Sequence, residues 1–202
     1  MVNDKLLARL KKDTLVEHQK CEATFPLFGE HTQKSEYKAY LQSMHKIYTE
    51  IEEHILRHQE TLPASLELEK RCQKRLWIEQ DLNTLQTDAT PPQTKLDLTE
   101  NSLAGVMGYL YVLEGATLGG QIISKRLKQS LNLDDNQLNF FSGYGPQTGP
   151  MWKNFTKVAE ENLQESDYEI LLRSANQVFQ IIAKGMWDLV RVEGLEPPRT
   201  WI

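Results

Sequence analysis

The sequence contains few cysteines and no long hydrophobic run. Cys21 and Cys72 are too few among 202 residues for a disulfide framework, and their spacing fits no zinc site. No segment approaches the roughly 20 apolar residues that a membrane-spanning helix needs, and the amino-terminal segment has charges throughout, unlike a secretory signal. We therefore expect a reduced, cytoplasmic protein that is not attached to a membrane.

An excess of basic residues is also absent. The chain has 23 Lys and Arg against 28 Asp and Glu, for a net charge of -5. Nucleic acids and anionic membranes attract concentrated Lys and Arg, so this balance argues against either as the main partner. The length of 202 residues, with 40% hydrophobic and 25% charged residues, suits one globular domain over residues 1–202.

The alternating pattern of β-strands is absent too, and apolar residues recur at helical spacing almost throughout. Loops are predicted at 86–98, which contains Pro91-Pro92, and at 132–149, which contains the segment GYGPQTG. The predicted fold is an all-α, single-domain helical bundle. The predicted helices cover residues 4–22, a segment from a cap at Ser35 to about Ile55, and residues 65–85, 101–131, 150–164 and 167–192.

One histidine lies on the apolar face of the first predicted helix. Leu10, Thr14, His18 and Cys21 follow i, i+3, i+4 spacing, so we expect His18 to face the core. A buried neutral imidazole can ligate haem iron through one nitrogen while the other donates a hydrogen bond. The alternative is a structural histidine whose hydrogen bonds are satisfied in the core, which is the more common situation for a single histidine.

The fourth predicted helix contains three glycines within six residues, in the segment Gly115-Ala116-Thr117-Leu118-Gly119-Gly120. Glycine costs about 1 kcal/mol relative to alanine inside a helix, so these residues should weaken and bend it. Gly115 and Gly119 share one face, where a planar ligand could approach the bare backbone. Close packing of helices through small residues is the alternative. Together with His18, the segment suggests a flat macrocycle held between two helices.

Both segments resemble those of the haem oxygenase family. Residues 10–22 are similar to the family's proximal-helix pattern, L-[KR]-x-x-T-x-x-x-H-x-x-x-E, which places His18 as the axial iron ligand and Glu22 one turn later. Residues 111–121, YVLEGATLGGQ, resemble the distal helix. The resemblance covers most of the chain. It is closest to the bacterial branch that makes biliverdin, including enzymes that supply bacteriophytochromes.

The resemblance implies an enzyme that opens haem to biliverdin, CO and ferrous iron with O2 and an external electron donor. Haem would be both cofactor and substrate, held between the proximal helix and a kinked, glycine-rich distal helix. Gly115, Gly119 and Gly120 would leave the backbone bare where O2 reacts. A reductase or ferredoxin-type donor is the implied partner, and a bilin-using photoreceptor is a further one.

The resemblance also implies groups that bind the haem propionates. Lys11 occupies the family's propionate-contacting position, and Lys153 and Lys157 resemble later basic positions, although a solvated face is the alternative for each. Tyr109 or Tyr111 would supply a phenol, and the sequence does not decide between them.

One position departs from the family pattern. Many members carry Asp directly after the first distal glycine, where it holds water beside the bound O2, and this chain has Ala116 there. The identity of the proton-delivery group is therefore open, with Thr117 and Gln121 as candidates.

Three other functions are considered. A non-catalytic haem carrier of the same fold stays open because of Ala116, and turnover of haem would distinguish it. A di-iron oxidase needs paired Glu-x-x-His motifs, and none of the five histidines has an acid three residues before it. A thiamine-degrading enzyme needs an active-site cysteine with acidic neighbours, of which Cys21 and Cys72 give no clear sign.

Overall fold

The structure is a computed structural model of the chain and describes residues 4–29, 32–89 and 95–193; Pro91-Pro92 of the predicted loop lie outside these ranges. The described residues form no β-strand, which confirms the predicted all-α fold. None of the helices in these ranges is long and apolar enough to cross a bilayer. In chain order the α-helices of the described residues are α1 Asp4–Asp13, α2 Leu15–Thr24, α3 Lys34–Arg57, α4 Leu68–Arg71, α5 Lys74–Thr84, α6 Leu103–Ser130, α7 Asn139–Ser142, α8 Thr148–Asn162 and α9 Tyr168–Glu193.

The two longest helices, α6 and α9, pack along each other at the centre of the bundle. Gly108 permits this approach, because a Cβ atom there would lie 2.5 Å from the carbonyl oxygen of Leu171. Helix α9 also packs against α2 and α3, α3 packs against α5, and α8 packs against α6. The arrangement leaves α6 and α2 as separate neighbours of α9.

The predicted first helix is divided at Thr14 into α1 and α2. The Thr14 hydroxyl donates to the carbonyl oxygen of Leu10 at 2.7 Å, a bond that commonly bends a helix. Backbone hydrogen bonds continue across the division, since the Thr14 N–H donates to Leu10 at 2.9 Å and the His18 N–H donates to Thr14 at 3.0 Å. The prediction of a helix over 4–22 is therefore nearly correct, but it did not include the bend at Thr14.

The prediction of one continuous helix over 65–85 is wrong. Glu67 has a φ of 51° and separates a turn from α4, and α4 ends at Arg71 before α5 begins at Lys74. The Glu52 carboxylate accepts the N–H groups of Lys74 at 2.7 Å and Arg75 at 3.2 Å, so it caps the new helix. These breaks turn the side chains of Arg71 and Lys74 into the interior, where both are buried.

The predicted loop 132–149 is also more ordered and more buried than expected, because it contains α7 with the buried Phe140 and Phe141. The Asp81 carboxylate of α5 accepts the N–H groups of Asn139 at 2.8 Å and Phe140 at 2.9 Å, which stabilises the start of α7. In α3, the cap is Gln33 with Glu36 and not the predicted Ser35.

Candidate functional site

The glycines of α6 fall into two groups. A Cβ atom at Gly105 would lie 2.5 Å from the Glu100 side chain, one at Gly108 would meet Leu171, and one at Gly120 would lie 2.6 Å from the carbonyl oxygen of Phe141. At Gly115 and Gly119, by contrast, a Cβ atom would meet nothing within 4 Å. Close packing therefore explains the first group and does not explain Gly115 and Gly119. The prediction that Gly120 leaves bare backbone for a ligand is wrong, because the backbone of Phe141 occupies that space.

The face of α6 that carries these two glycines is open and apolar. Leu118 is 41% exposed and Ile122 is 74% exposed, and helical spacing places both beside Gly115 and Gly119. Exposed apolar side chains beside bare backbone are typical of a surface that binds an apolar ligand. Helix α6 continues without interruption through 115–120.

Helix α2 is likewise uncovered, since none of its described side chains is buried. Leu15 is 49% exposed, and the side chain of His18 is 51% exposed. The prediction that His18 faces the core is therefore wrong, although Leu10 and Thr14 of the same stripe are buried. The alternative of a core histidine with satisfied hydrogen bonds is excluded by the same exposure.

The His18 ring is nevertheless held on two sides. Its Nδ1 atom lies 3.6 Å from a carboxylate oxygen of Glu22, and its ring contacts Phe179 of α9 edge to face, with centroids 5.6 Å apart. The Cys21 thiol donates to the carbonyl oxygen of Phe179 at 3.0 Å, which fixes α2 against α9. The other ring nitrogen, Nε2, is thereby left as the candidate ligand atom.

The side chains of Thr14 and Tyr111 lie close enough to interact, and this pair, the Thr14–Tyr111 junction, brings the proximal segment near α6. His18 follows Thr14 by one turn, and Gly115 follows Tyr111 by one turn, each on the side of its helix that carries the junction residue. His18 and Gly115 are thus each about one helical turn from the same junction. Burial raises the pKa of Tyr111, so its hydroxyl stays protonated at neutral pH.

Tyr109 lies elsewhere. It is buried on the other side of α6, where its hydroxyl donates to Gln177 at 3.1 Å and accepts the N–H of Glu100 at 3.2 Å. Tyr111, whose ring lies 6.0 Å from that of Trp152, is therefore the tyrosine beside the candidate site.

The three candidate cations are all exposed. Lys11 lies in the last turn of α1, one turn before Thr14, and Lys153 directly follows Trp152 on α8. Lys157 lies one turn further, with its Nζ 3.8 Å from Glu161. Lys11 is thus one turn from Thr14, Lys153 adjoins Trp152 in sequence, and Lys157 is one turn further along α8.

The candidates for proton delivery do not lie on the open face. The Thr117 hydroxyl is buried and donates to the carbonyl oxygen of Glu114 at 2.6 Å, while the Gln121 amide donates to the carbonyl oxygen of Gly145 at 2.8 Å. The open face itself presents Ala116 among apolar neighbours.

The sequence analysis missed a buried charged cluster behind this face. The Glu114 carboxylate, which is 1% exposed, accepts from Arg71 at 2.6 Å and from the Tyr144 hydroxyl at 2.7 Å. A glutamate inside the apolar run YLYVLEG was the available signal, because a buried carboxylate requires partners.

The alternative of a thiamine-degrading enzyme loses support from the structure. Burial raises the pKa of both the Cys21 and the Cys72 thiols to about 12, so neither supplies the thiolate that a nucleophilic cysteine enzyme needs. Among the described residues, no group of three His, Cys, Asp or Glu side chains is placed to hold a metal ion.

Comparison with known families is decisive for classification. The model of the family described as Heme oxygenase matches residues 4–186 of this chain. The chain belongs to the haem oxygenase family. Compared with curated protein sequences, it has no significant match.

Solved bacterial haem oxygenases share the fold. The NO- and CO-bound enzyme of Neisseria meningitidis is 18% identical, with a TM-score of 0.74 and 100% of each chain covered. The enzyme of Leptospira interrogans is also 18% identical, with a TM-score of 0.72 over 91% of this chain and 98% of its own. Heme oxygenase-1 of the cyanobacterium Synechocystis sp. PCC6803, solved with haem, is 16% identical, with a TM-score of 0.69 and 96% of each chain covered.

The residues of this haem oxygenase family member fit a haem. Bare backbone at Gly115 and Gly119 accommodates a planar ring, and the exposed Leu15 and Leu118 supply apolar surface. The exposed imidazole of His18 has one nitrogen near a carboxylate and the other available to a metal.

Proposed function

We propose that this chain binds haem through His18 and degrades it, with O2 and external electrons, to biliverdin, CO and ferrous iron. The observation that carries the proposal is the open space at Gly115 and Gly119, on a helix whose other glycines are closely packed. A helix interior loses about 1 kcal/mol of stability at each such glycine, so a requirement other than packing is indicated.

His18 and Glu22 would act together. The carboxylate of Glu22, 3.6 Å from Nδ1, favours the tautomer with the proton on that nitrogen. Nε2 is then unprotonated and suited to bind iron, while Glu22 limits rotation of the ring. When bound, haem supplies the redox and oxygen chemistry, and the protein supplies its position.

The open face of α6 would control the access of O2 to the haem and the supply of protons. With no side chain at Gly115 and Gly119, the backbone can approach the ring closely and limit the space for O2. Ala116 and Leu118 offer no acidic proton, so water on this face is the proposed proton donor. Lys11, Lys153 and the Tyr111 hydroxyl are proposed to bind the propionates, and Lys157 is proposed to join them by exchanging its Glu161 partner.

Two partners follow from the chemistry. The reaction consumes electrons that the chain itself does not store, so a reductase or ferredoxin-type donor is required. A photoreceptor that uses bilins is the proposed consumer of biliverdin.

A haem carrier is the second candidate function. It is favoured by the apolar open face, because Ala116 provides no side chain to hold water and both Thr117 and Gln121 are hydrogen-bonded elsewhere. A carrier would hold haem unchanged under the conditions in which an oxygenase destroys it.

The test is a titration of the protein with hemin, followed by ascorbate or a reductase system under air, with visible spectra recorded throughout. The proposal expects a stoichiometric haem complex that decays to a biliverdin band, and loss of both in His18→Ala. His58→Ala, which removes a histidine at the end of α3, is the matched control and should behave as the wild type. Persistence of the haem spectrum would favour the carrier, and failure to bind hemin would refute both functions.

A further inference from the structure

Four polar side chains meet in the interior where α4, α5 and α6 approach the segment before α8. The Arg71 guanidinium is 0% exposed and donates to one oxygen of Glu114 at 2.6 Å. The Tyr144 hydroxyl donates to the other oxygen at 2.7 Å, and the Lys74 ammonium lies 3.7 Å from that same oxygen. Both oxygens of the Glu114 carboxylate therefore have partners, which come from α4, α5 and the segment before α8.

Arg71 is itself fixed by the surrounding backbone. Its Nε donates to the carbonyl oxygen of Leu66 at 2.5 Å, and its Nη2 donates to Asn154 at 2.6 Å and to the carbonyl oxygen of Met151 at 3.1 Å. A buried ion pair of this kind is no more stabilising than well-packed apolar residues, but it defines one geometry. Its position in the fold therefore matters more than its energy.

Glu114 immediately precedes Gly115, a residue without a side chain to pack against the rest of the protein. The open face gives the segment no packing at Gly115 or Gly119, and glycines favour helix weakly. The location of this backbone must consequently be set from the opposite face.

The opposite face of α6 is hydrogen-bonded to the connection between α7 and α8 and to the start of α8. Gln121 donates to the carbonyl oxygen of Gly145 at 2.8 Å and to the Thr148 hydroxyl at 3.0 Å. A Cβ atom at Gly143 would lie 3.5 Å from the Thr117 side chain, so Gly143 is in ordinary packing distance of this residue of α6. The hydrogen bond from Tyr144 to the Glu114 carboxylate is the charged contact between α6 and this connection. It is also the contact nearest to Gly115 along α6.

We propose that Glu114 is a positioning residue: held by Arg71 and Tyr144, it fixes the backbone of the Gly115–Gly119 segment and thereby the seat of the haem ring. The proposal rests on the proposed function, because it assigns the segment to haem. Glu114 does not touch the ligand, and it acts through the α6 backbone.

The experiment compares Glu114→Gln, Tyr144→Phe and their double variant with Glu52→Gln. Glu52 is the matched control, since its carboxylate is equally buried but accepts the backbone N–H groups of Lys74 and Arg75, whereas that of Glu114 accepts from the side chains of Arg71 and Tyr144. Hydrogen–deuterium exchange of amides 114–121 is measured in the haem-free protein. The rate of hemin release to excess apomyoglobin and the isomer composition of biliverdin are measured in the loaded protein.

We expect Glu114→Gln to speed exchange in 114–121 and hemin release by about tenfold, the effect of losing one hydrogen bond to a charged group. The product should change from one biliverdin isomer to a mixture. The double variant should be no worse than Glu114→Gln, because Tyr144 acts through Glu114. Glu52→Gln should lower thermal stability without these local effects.

Unchanged exchange and hemin release in Glu114→Gln, or changes equal to those in Glu52→Gln, would overturn the proposal and leave an ion pair that only stabilises the fold. Additive effects of Glu114→Gln and Tyr144→Phe would overturn the role of Tyr144. If Glu114→Gln does not fold, Tyr144→Phe alone decides, since it removes a single hydroxyl. If the wild type binds no hemin, the proposed function fails, whereas exchange still decides whether Glu114 fixes this segment.

Discussion

A methyl group added at Gly119 and one added at Gly108 should have opposite effects on stability. Gly119 lies inside α6 with nothing within 4 Å of its Cβ position, so Gly119→Ala should raise the free energy of unfolding by about 1 kcal/mol. At Gly108 the methyl would lie 2.5 Å from the carbonyl oxygen of Leu171 and 2.7 Å from the Ser174 side chain. Gly108→Ala should therefore lower the free energy of unfolding by about 1–3 kcal/mol. Urea denaturation of both variants measures the difference.

The Gly119→Ala variant also tests the candidate haem site. Gly119→Ala should weaken hemin binding although it stabilises the haem-free protein, because the methyl occupies the open face. A Gly119→Ala variant that is less stable than the wild type, or that binds hemin equally well, would contradict this interpretation.

Asp81 should make stability fall as the pH rises. Burial raises the pKa of its carboxyl from 3.8 to about 6, even though the N–H groups of Asn139 and Phe140 act in the opposite direction. The folded state then binds the proton more tightly than the unfolded state, so its stabilising effect is complete below about pH 4 and is lost as the pH passes through about 6. Two pKa units correspond to at most about 3 kcal/mol.

Unfolding of the wild type and of Asp81→Asn by urea, from about pH 4 to about pH 7, isolates this group. The free-energy difference between them should change in favour of the variant up to about pH 6 and be constant above it. Contributions from the other carboxyl groups, including the buried Glu52, cancel in the difference. A difference that does not depend on pH would show that Asp81 does not titrate in this range.

For single residues, the sequence predicted His18, Gly115 and Gly119 as site residues, but periodicity placed His18 in the core, whereas its side chain is 51% exposed. Helical spacing states which residues share a face and not what covers that face, so a ligand-facing stripe and a core-facing stripe look alike. Glu114 was missed for a related reason, since its partner Arg71 is 43 residues away along the chain.

At the scale of the element, the two faces of α6 can be separated by its tyrosines. Tyr111→Phe removes a hydroxyl beside the candidate site and should weaken hemin binding by about fivefold, the effect of one hydrogen bond. Tyr109→Phe removes the bonds to Gln177 and Glu100, so it should lower the free energy of unfolding by about 1–2 kcal/mol and leave hemin affinity unchanged. Hemin titration and urea unfolding of each variant measure both effects.

The reverse result, with hemin affinity reduced only in Tyr109→Phe, would place the propionate-binding phenol on the opposite side of α6. Equal losses in both variants would indicate a general effect on the helix and no specific contact.

Long helices were predicted closely, whereas breaks were not. The prediction 101–131 corresponds to Leu103–Ser130, and 167–192 corresponds to Tyr168–Glu193, because both have a sustained apolar stripe and few alternatives. The interruption between α4 and α5 depends on the Glu52 carboxylate and on burial of Arg71, which are contacts with distant segments. Local propensity carries no information about such contacts.

For the whole molecule, the lack of an alternating strand pattern and the helical spacing of apolar residues were sufficient to predict an all-α helical bundle, and the family match agrees with it. The order of packing was not predictable, because α9, the last of the described helices, contacts α2, α3 and α6. Because α9 packs against both α2 and α6, the candidate site is completed only when α9 has packed against these two helices.

This arrangement leads to a prediction for the stability of the entire protein. Because α2 and α6 both pack on α9 while their open faces are uncovered, a ligand that binds both faces should bind only the folded state. Hemin at a hundred times its Kd should then add about 2.7 kcal/mol to the free energy of unfolding. For a chain of this length, that raises Tm by about 5–10 °C. Differential scanning fluorimetry of the wild type and His18→Ala, with and without hemin, measures the increase. It should be absent or much smaller in His18→Ala, and an equal increase in both proteins would show that hemin binds the chain away from His18.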